Sequence, residues 1–214
     1  MTNTTDTNYY ELNTKIPNRL QNIILDKIKK FQSRTEFNSN SHIDDHIHFT
    51  DDEKSLFDAW LKQNNLPNMH YAVLFFKKDI TELENDHIHI DYNADYNEIS
   101  LAAINIPVVN FENTIMSWWS GDYSYKIKFV NEDLEISNIK TEKHFIPFAS
   151  LTWHNKPELI DTYNLNGKPF LAKVDIPHSV TACDTRIVFS LRLENNPHFN
   201  ELKKILSEGK KNVI

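Results

Sequence analysis

From Tyr71 to Leu193 the chain is a succession of short aromatic and β-branched runs. Tyr71–Phe76, His87–Tyr92, Ile99–Val109, Thr114–Trp119, Tyr123–Val130, Glu142–Phe148, Leu151–Trp153, Phe170–Ile176 and Arg186–Leu193 are separated by Asn, Asp, Pro and Gly. Runs of that length, bounded by turn-forming residues, predict strands, and so many of them predict an all-β sandwich or barrel. Asn166-Gly167 is a hairpin signal, because both residues accept positive φ. Helices flank the β region. Leu20, Ile23, Ile24, Ile28 and Phe31 recur at helical spacing. Thr50, followed by Asp51, Asp52 and Glu53, predicts an N-cap with acidic residues in the first turn. Phe199–Leu206 predicts a short closing helix. The expected organisation is a polar arm and two helices over 1–69, a β core over 70–194 and a C-terminal helix over 195–214. Residues 1–19 read as a loose arm and 32–49 as a loop.

Composition narrows the chemistry. Three glycines, far apart at Gly121, Gly167 and Gly209, cannot build a phosphate-cradling loop. One cysteine, Cys183, excludes an internal disulfide and any cysteine-rich metal site, and no neighbouring pattern marks it as a nucleophile. No apolar run is long enough to span a membrane, and the first residues lack a leader pattern, so a cytoplasmic protein is expected. A net charge of −7 makes a nucleic-acid partner the least expected one. Ten histidines and thirty carboxylates remain as the chemical resource.

Side chains two apart on a strand share a face. His87, His89 and Asp91 therefore share one face of their strand, and Ile88 and Ile90 the other. His178 continues the alternating row Phe170, Ala172, Val174 and Ile176. Arg186, Val188, Ser190 and Arg192 face away from Ile187, Phe189, Leu191 and Leu193. Two histidines and one carboxylate on a β scaffold are the ligand set of a non-haem Fe(II) facial triad. His89 and Asp91 can reach one ion, with the third ligand returning from a distant strand. Arg186 follows His178 after a short turn, and its planar fork suits a carboxylate. Several alternatives stay open. His87 competes with His89, and His144 or His154 could replace His178. A second His-X-Asp stands at His42-Ile43-Asp44 in a polar stretch.

The run His89-Ile90-Asp91, then Ala102-Ala103-Ile104-Asn105-Ile106-Pro107, then Glu112-Asn113-Thr114 with Trp118-Trp119, resembles the 2-oxoglutarate/Fe(II)-dependent dioxygenase superfamily. So does Ile176-Pro177-His178-Ser179-Val180 followed by Arg186-Ile187-Val188-Phe189-Ser190-Leu191-Arg192. The likeness is closest to small phage and environmental-type members and covers roughly residues 70–194. It implies a double-stranded β-helix, a cupin-like jelly roll, with flanking helices. It implies His89, Asp91 and His178 as Fe(II) ligands and Arg186 as the partner of the far carboxylate of 2-oxoglutarate. Asn105, Ser190 and Arg192 are further candidate cosubstrate contacts, and one of Trp118 and Trp119 is expected to line the pocket. The implied activity is a hydroxylase using Fe(II), 2-oxoglutarate and O2 on a small-molecule or peptide substrate, in a monomer or homodimer. Loops 92–98 and 110–114 and the N-terminal extension are the expected sources of specificity. The rival readings are a non-catalytic cupin-like binder of a metal or carboxylate, and a purely structural jelly roll.

Overall fold

The computed structural model describes residues 7–33, 42–77, 88–93, 95–129, 147–182 and 185–209. His87, His144 and Cys183, most of the strand expected over Glu142–Phe148, the first residues of the arm and the lysines after Gly209 lie outside them.

Helix α1 (Asn18–Gln32) buries Leu20, Ile24, Ile28 and Phe31, four of the five residues whose spacing predicted it. Helix α2 (Asp51–Gln63) begins with a capping box. The Thr50 hydroxyl accepts from the Glu53 backbone N–H at 3.2 Å, and the Glu53 carboxylate accepts from the Thr50 N–H at 2.9 Å. Asn65, at φ 57°, follows its C-terminus in the left-handed region that asparagine tolerates.

The strands are β1 (Tyr9–Glu11), β2 (His42–His46), β3 (Met69–Lys77), β4 (His89–Asn93), β5 (Glu98–Ile99), β6 (Ala102–Val109) and β7 (Thr114–Ser120). They continue with β8 (Tyr123–Phe129), β9 (Pro147–Trp153), β10 (Glu158–Asn164), β11 (Phe170–Lys173), β12 (His178–Ala182) and β13 (Arg186–Leu193), and α3 (Phe199–Gly209) closes the described chain. They form two antiparallel sheets. The first runs β1-β11-β6-β13-β3-β2; the second runs β10-β7-β12-β4-β9-β8, with β5 on β4. The mainly β class with few flanking helices is as expected. In chain order, β3 pairs with β13, β4 with β12, β6 with β11 and β7 with β10, so the chain returns along its own path.

The first sheet is buried on both faces. On one face Ile104, Ile106, Leu171, Ile187, Phe189 and Leu191 pack against Leu20, Ile24 and Ile28 of α1, Phe57, Trp60 and Leu61 of α2 and Leu202 of α3. On the other, Ala103, Phe170, Ala172 and Val188 meet Met116, Trp118 and Tyr163 of the second sheet. β13 is buried at all eight positions because it lies in the centre of this three-layered arrangement. Among the described residues no helix is long and apolar enough to cross a membrane.

The sequence expectations need correcting at four places. The arm contains β1, which pairs with β11, and the loop contains β2, which pairs with β3. Both are short edge strands: β1 is three residues long, and β2 is four polar residues around Ile43, so neither carries a hydrophobic alternation long enough to read. β10 was not expected either. A register shift between Leu159 and Asp161 breaks its pattern, and most of it is exposed. Finally, Phe170 to His178 is not one row. β11 ends at Lys173, the chain crosses to the second sheet, and His178 opens β12 there.

Candidate metal centre

Three inward side chains meet on the second sheet. His89 is the first residue of β4 and Asp91 lies two residues on, on the same face. His178, the first residue of β12, is the direct ladder partner of His89. Residues opposite one another in an antiparallel pair point to the same side, so the register alone brings both imidazoles together. Their ring centroids are 4.6 Å apart. Nε2 of His89 is 3.4 Å from Oδ1 of Asp91, and Nε2 of His178 is 3.5 Å from the same oxygen. The ligand atoms of all three lie within 4.8 Å of one another, and the group could hold a metal ion.

The second contacts of these residues orient them for that task. Nδ1 of His178 is 3.0 Å from the Ile176 carbonyl. A carbonyl only accepts, so Nδ1 carries a proton and Nε2 is the ring atom turned toward Asp91. A ligand histidine is commonly fixed in this way. The Asp91 backbone N–H donates to Val174 at 3.2 Å, and its carbonyl accepts from Ser100 at 2.9 Å, which pins the strand end. Its side chain accepts a 2.6 Å ionic hydrogen bond from Nη2 of Arg192 at Oδ2, leaving Oδ1 to the histidines.

Arg192 in turn donates to the Ser190 hydroxyl at 2.6 Å and lies 6.0 Å from the ring of Phe75. Burial works against ionising Asp91, yet Arg192 and His178 outweigh it and hold the carboxyl well below its ordinary range. Tyr71 faces Arg192 across the β3–β13 ladder. Burial raises its hydroxyl pKa while the guanidinium pulls it back.

The remaining candidates fall on the inner face of the first sheet. Asn105 is 8% exposed and pairs with Ser190 across the ladder. Arg186, 5% exposed, begins the strand that Arg192 nearly ends. Arg192 is therefore engaged with Asp91 and Ser190 with Arg192, whereas Arg186 and Asn105 lie along the same inward rows. Trp118 is the tryptophan that faces inward. It is ladder partner to His178, fully buried, and donates to the Lys173 carbonyl at 2.7 Å. Trp119 faces out and donates to Ser179.

His154 is exposed in the turn after β9, and no second group of three such ligands forms among the described residues. His42 and Asp44 lie on β2, but their side chains are outside the described residues. The sequence reading missed the Arg192–Asp91 bond and Tyr71. Strand alternation put Arg192 on one face with Arg186 and Ser190, but no sequence signal says which carboxylate it meets. Compared with known proteins, the chain matches no family model, no curated protein and no solved structure.

Proposed function

We propose that the protein is an Fe(II)- and 2-oxoglutarate-dependent oxygenase, a hydroxylase of a small molecule or peptidyl side chain, built on a double-stranded β-helix. The observation that carries the reading is the convergence of His89, Asp91 and His178 on one point. Two imidazoles and one carboxylate suit a six-coordinate Fe(II) with open positions. The fold assignment rests on the nested pairing of first core strand with last, second with seventh, third with sixth and fourth with fifth. Such nesting supports the reading, because a long antiparallel double strand folded over into a jelly roll would pair its strands in this order.

The donor set fits the ion. Nε2 of His178 is directed by its Nδ1–H bond, and Asp91 presents one oxygen while Arg192 occupies the other. His89, Asp91 and His178 would hold the iron. Arg186, at the far end of the inward row of β13, would pair with the distal carboxylate of 2-oxoglutarate. Asn105 would offer a neutral amide between them. When bound, iron with 2-oxoglutarate and O2 supplies the oxidising power, the cosubstrate leaving as succinate and CO2. The chain's own part is to fix the ligands, anchor the cosubstrate and keep the interior dry. His178 and Asp91 are 4% and 12% exposed at their side chains and His89 21%, so access to the centre is from the His89 side.

The test is an anaerobic titration of metal-free protein with Fe(II) and then 2-oxoglutarate, followed by oxygen. The reading predicts a visible metal-to-ligand charge-transfer band and then succinate. Metal binding with neither band nor succinate would make the protein a non-catalytic binder. No metal binding would leave a structural jelly roll.

A further inference from the structure

Strands β8 and β9 lie outside the nested eight-strand pairing and add to the second sheet at the edge of β4, beside the metal centre. Their register fixes which side chains share its face. His89 is opposite Ser150, and Ser150 is opposite Lys126; Asp91 is opposite Phe148; Thr152 is opposite Ser124. Cross-strand partners point to one side. The face that holds the metal ligands therefore continues outward as Phe148, Ser150 and Thr152 on β9 and Lys126 and Ser124 on β8. The Phe148 ring meets His89 edge-on, with centroids 6.1 Å apart.

On the side facing the metal this extension carries one aromatic ring, Phe148, and the polar Ser150, Thr152, Ser124 and Lys126; the other side is apolar. Ile90, Ala149, Leu151 and Ile127 share the opposite face, with Ile90 and Ala149 fully buried there. Exposure also rises steadily along the row. His178 is closed off, His89 is partly open, Ser150 is half-buried, and Lys126, Ser124 and Thr152 are exposed.

We infer that the β8–β9 face is the substrate platform and that Lys126 recognises an anionic group, phosphate or carboxylate, on the molecule to be oxidised. The inference rests on the oxygenase reading and adds its substrate class. Two strand spacings separate His89 from Lys126, which places the anion about 10 Å from the metal. The intervening part of the substrate crosses Phe148 and Ser150, an apolar ring and a hydroxyl. A lysine suits this role because it binds an oxyanion as a point charge on a flexible stem.

The test uses the full chain loaded with Mn(II) and saturated with 2-oxoglutarate, so that the metal and Arg186 are already engaged. Inorganic phosphate is followed by 31P relaxation and acetate by 13C relaxation, which separates the two anion types. The inference predicts that at least one anion relaxes with a metal–nucleus distance of about 10 Å. Lys126→Ala should weaken that anion about tenfold, and Lys126→Arg should keep it. Unchanged anion binding in Lys126→Ala, or no anion near the metal in the loaded protein, would overturn the inference alone. Failure of Mn(II) or 2-oxoglutarate to bind would overturn the oxygenase reading, and this inference with it.

Discussion

On the helix-facing side of β13, Ile187, Phe189, Leu191 and Leu193 pack with aromatic and aliphatic side chains. On the side facing the second sheet, the same strand presents Arg186, Ser190 and Arg192 at equal burial, with Val188 the one apolar residue among them. The first face needs nothing beyond hydrophobic burial to explain it. The second does not reduce to that. Burying a guanidinium costs several kcal/mol unless a well-placed anion offsets it, on the order of estimates for any buried ion. Arg192 has Asp91 for that purpose, and Asp91 is itself shared with two histidines. One face builds stability and the other maintains a charged constellation at some cost to it. That asymmetry within a single strand is the physical reason to read the inner face as a site.

Substitutions on the two faces should differ in kind. Phe189→Ala removes a fully buried ring and should destabilise the protein by about 3–5 kcal/mol, with the same loss in urea unfolding whether or not Mn(II) is present. Arg192→Met should also be severe, about 3–5 kcal/mol in the metal-free protein, because it leaves Asp91 buried without its guanidinium. Mn(II) should recover part of that loss by taking over the neutralisation. Identical responses of the two variants to Mn(II) would remove the distinction between the faces.

Acid should act on the inner face first. Asp91 is held below its ordinary value of 3.8, so its contribution to stability is complete above that value. The contribution is lost as pH falls through the lower folded value. Metal-free wild type should therefore lose stability below about pH 4 more steeply than Asp91→Asn, measured by urea unfolding across the acid range. The smallest effect belongs to the helical layer. Thr50→Ala removes the α2 cap and should cost about 1 kcal/mol, leaving metal binding unaltered.

Much of this contrast was legible in the sequence. Alternation over Arg186–Leu193 separated the two faces of β13, and the observed strand has the same limits. Spacing put His87, His89 and Asp91 on one face and left His87 and His89 as alternatives. His178 was chosen from a row that the structure breaks after Lys173. It reaches the site because β12 returns on the second sheet in register with His89, and pairing between distant strands leaves no local pattern. The edge strands β1, β2 and β10 were hidden for a related reason. Pairing on one side, with much of the strand polar, asks little hydrophobic periodicity of a sequence. The Arg192–Asp91 bond depends on how the two sheets face each other, which no single strand records.

The central claim is that His89, Asp91 and His178 form one divalent-metal centre. Titration of metal-free protein with Co(II), followed by visible absorption, tests it directly. The account predicts saturation at one equivalent for wild type, with the ligand-field bands abolished in Asp91→Ala and in His178→Ala, both first shown to be folded by circular dichroism. Bands that persist unchanged in those variants, or a wild type that never binds Co(II), would contradict it.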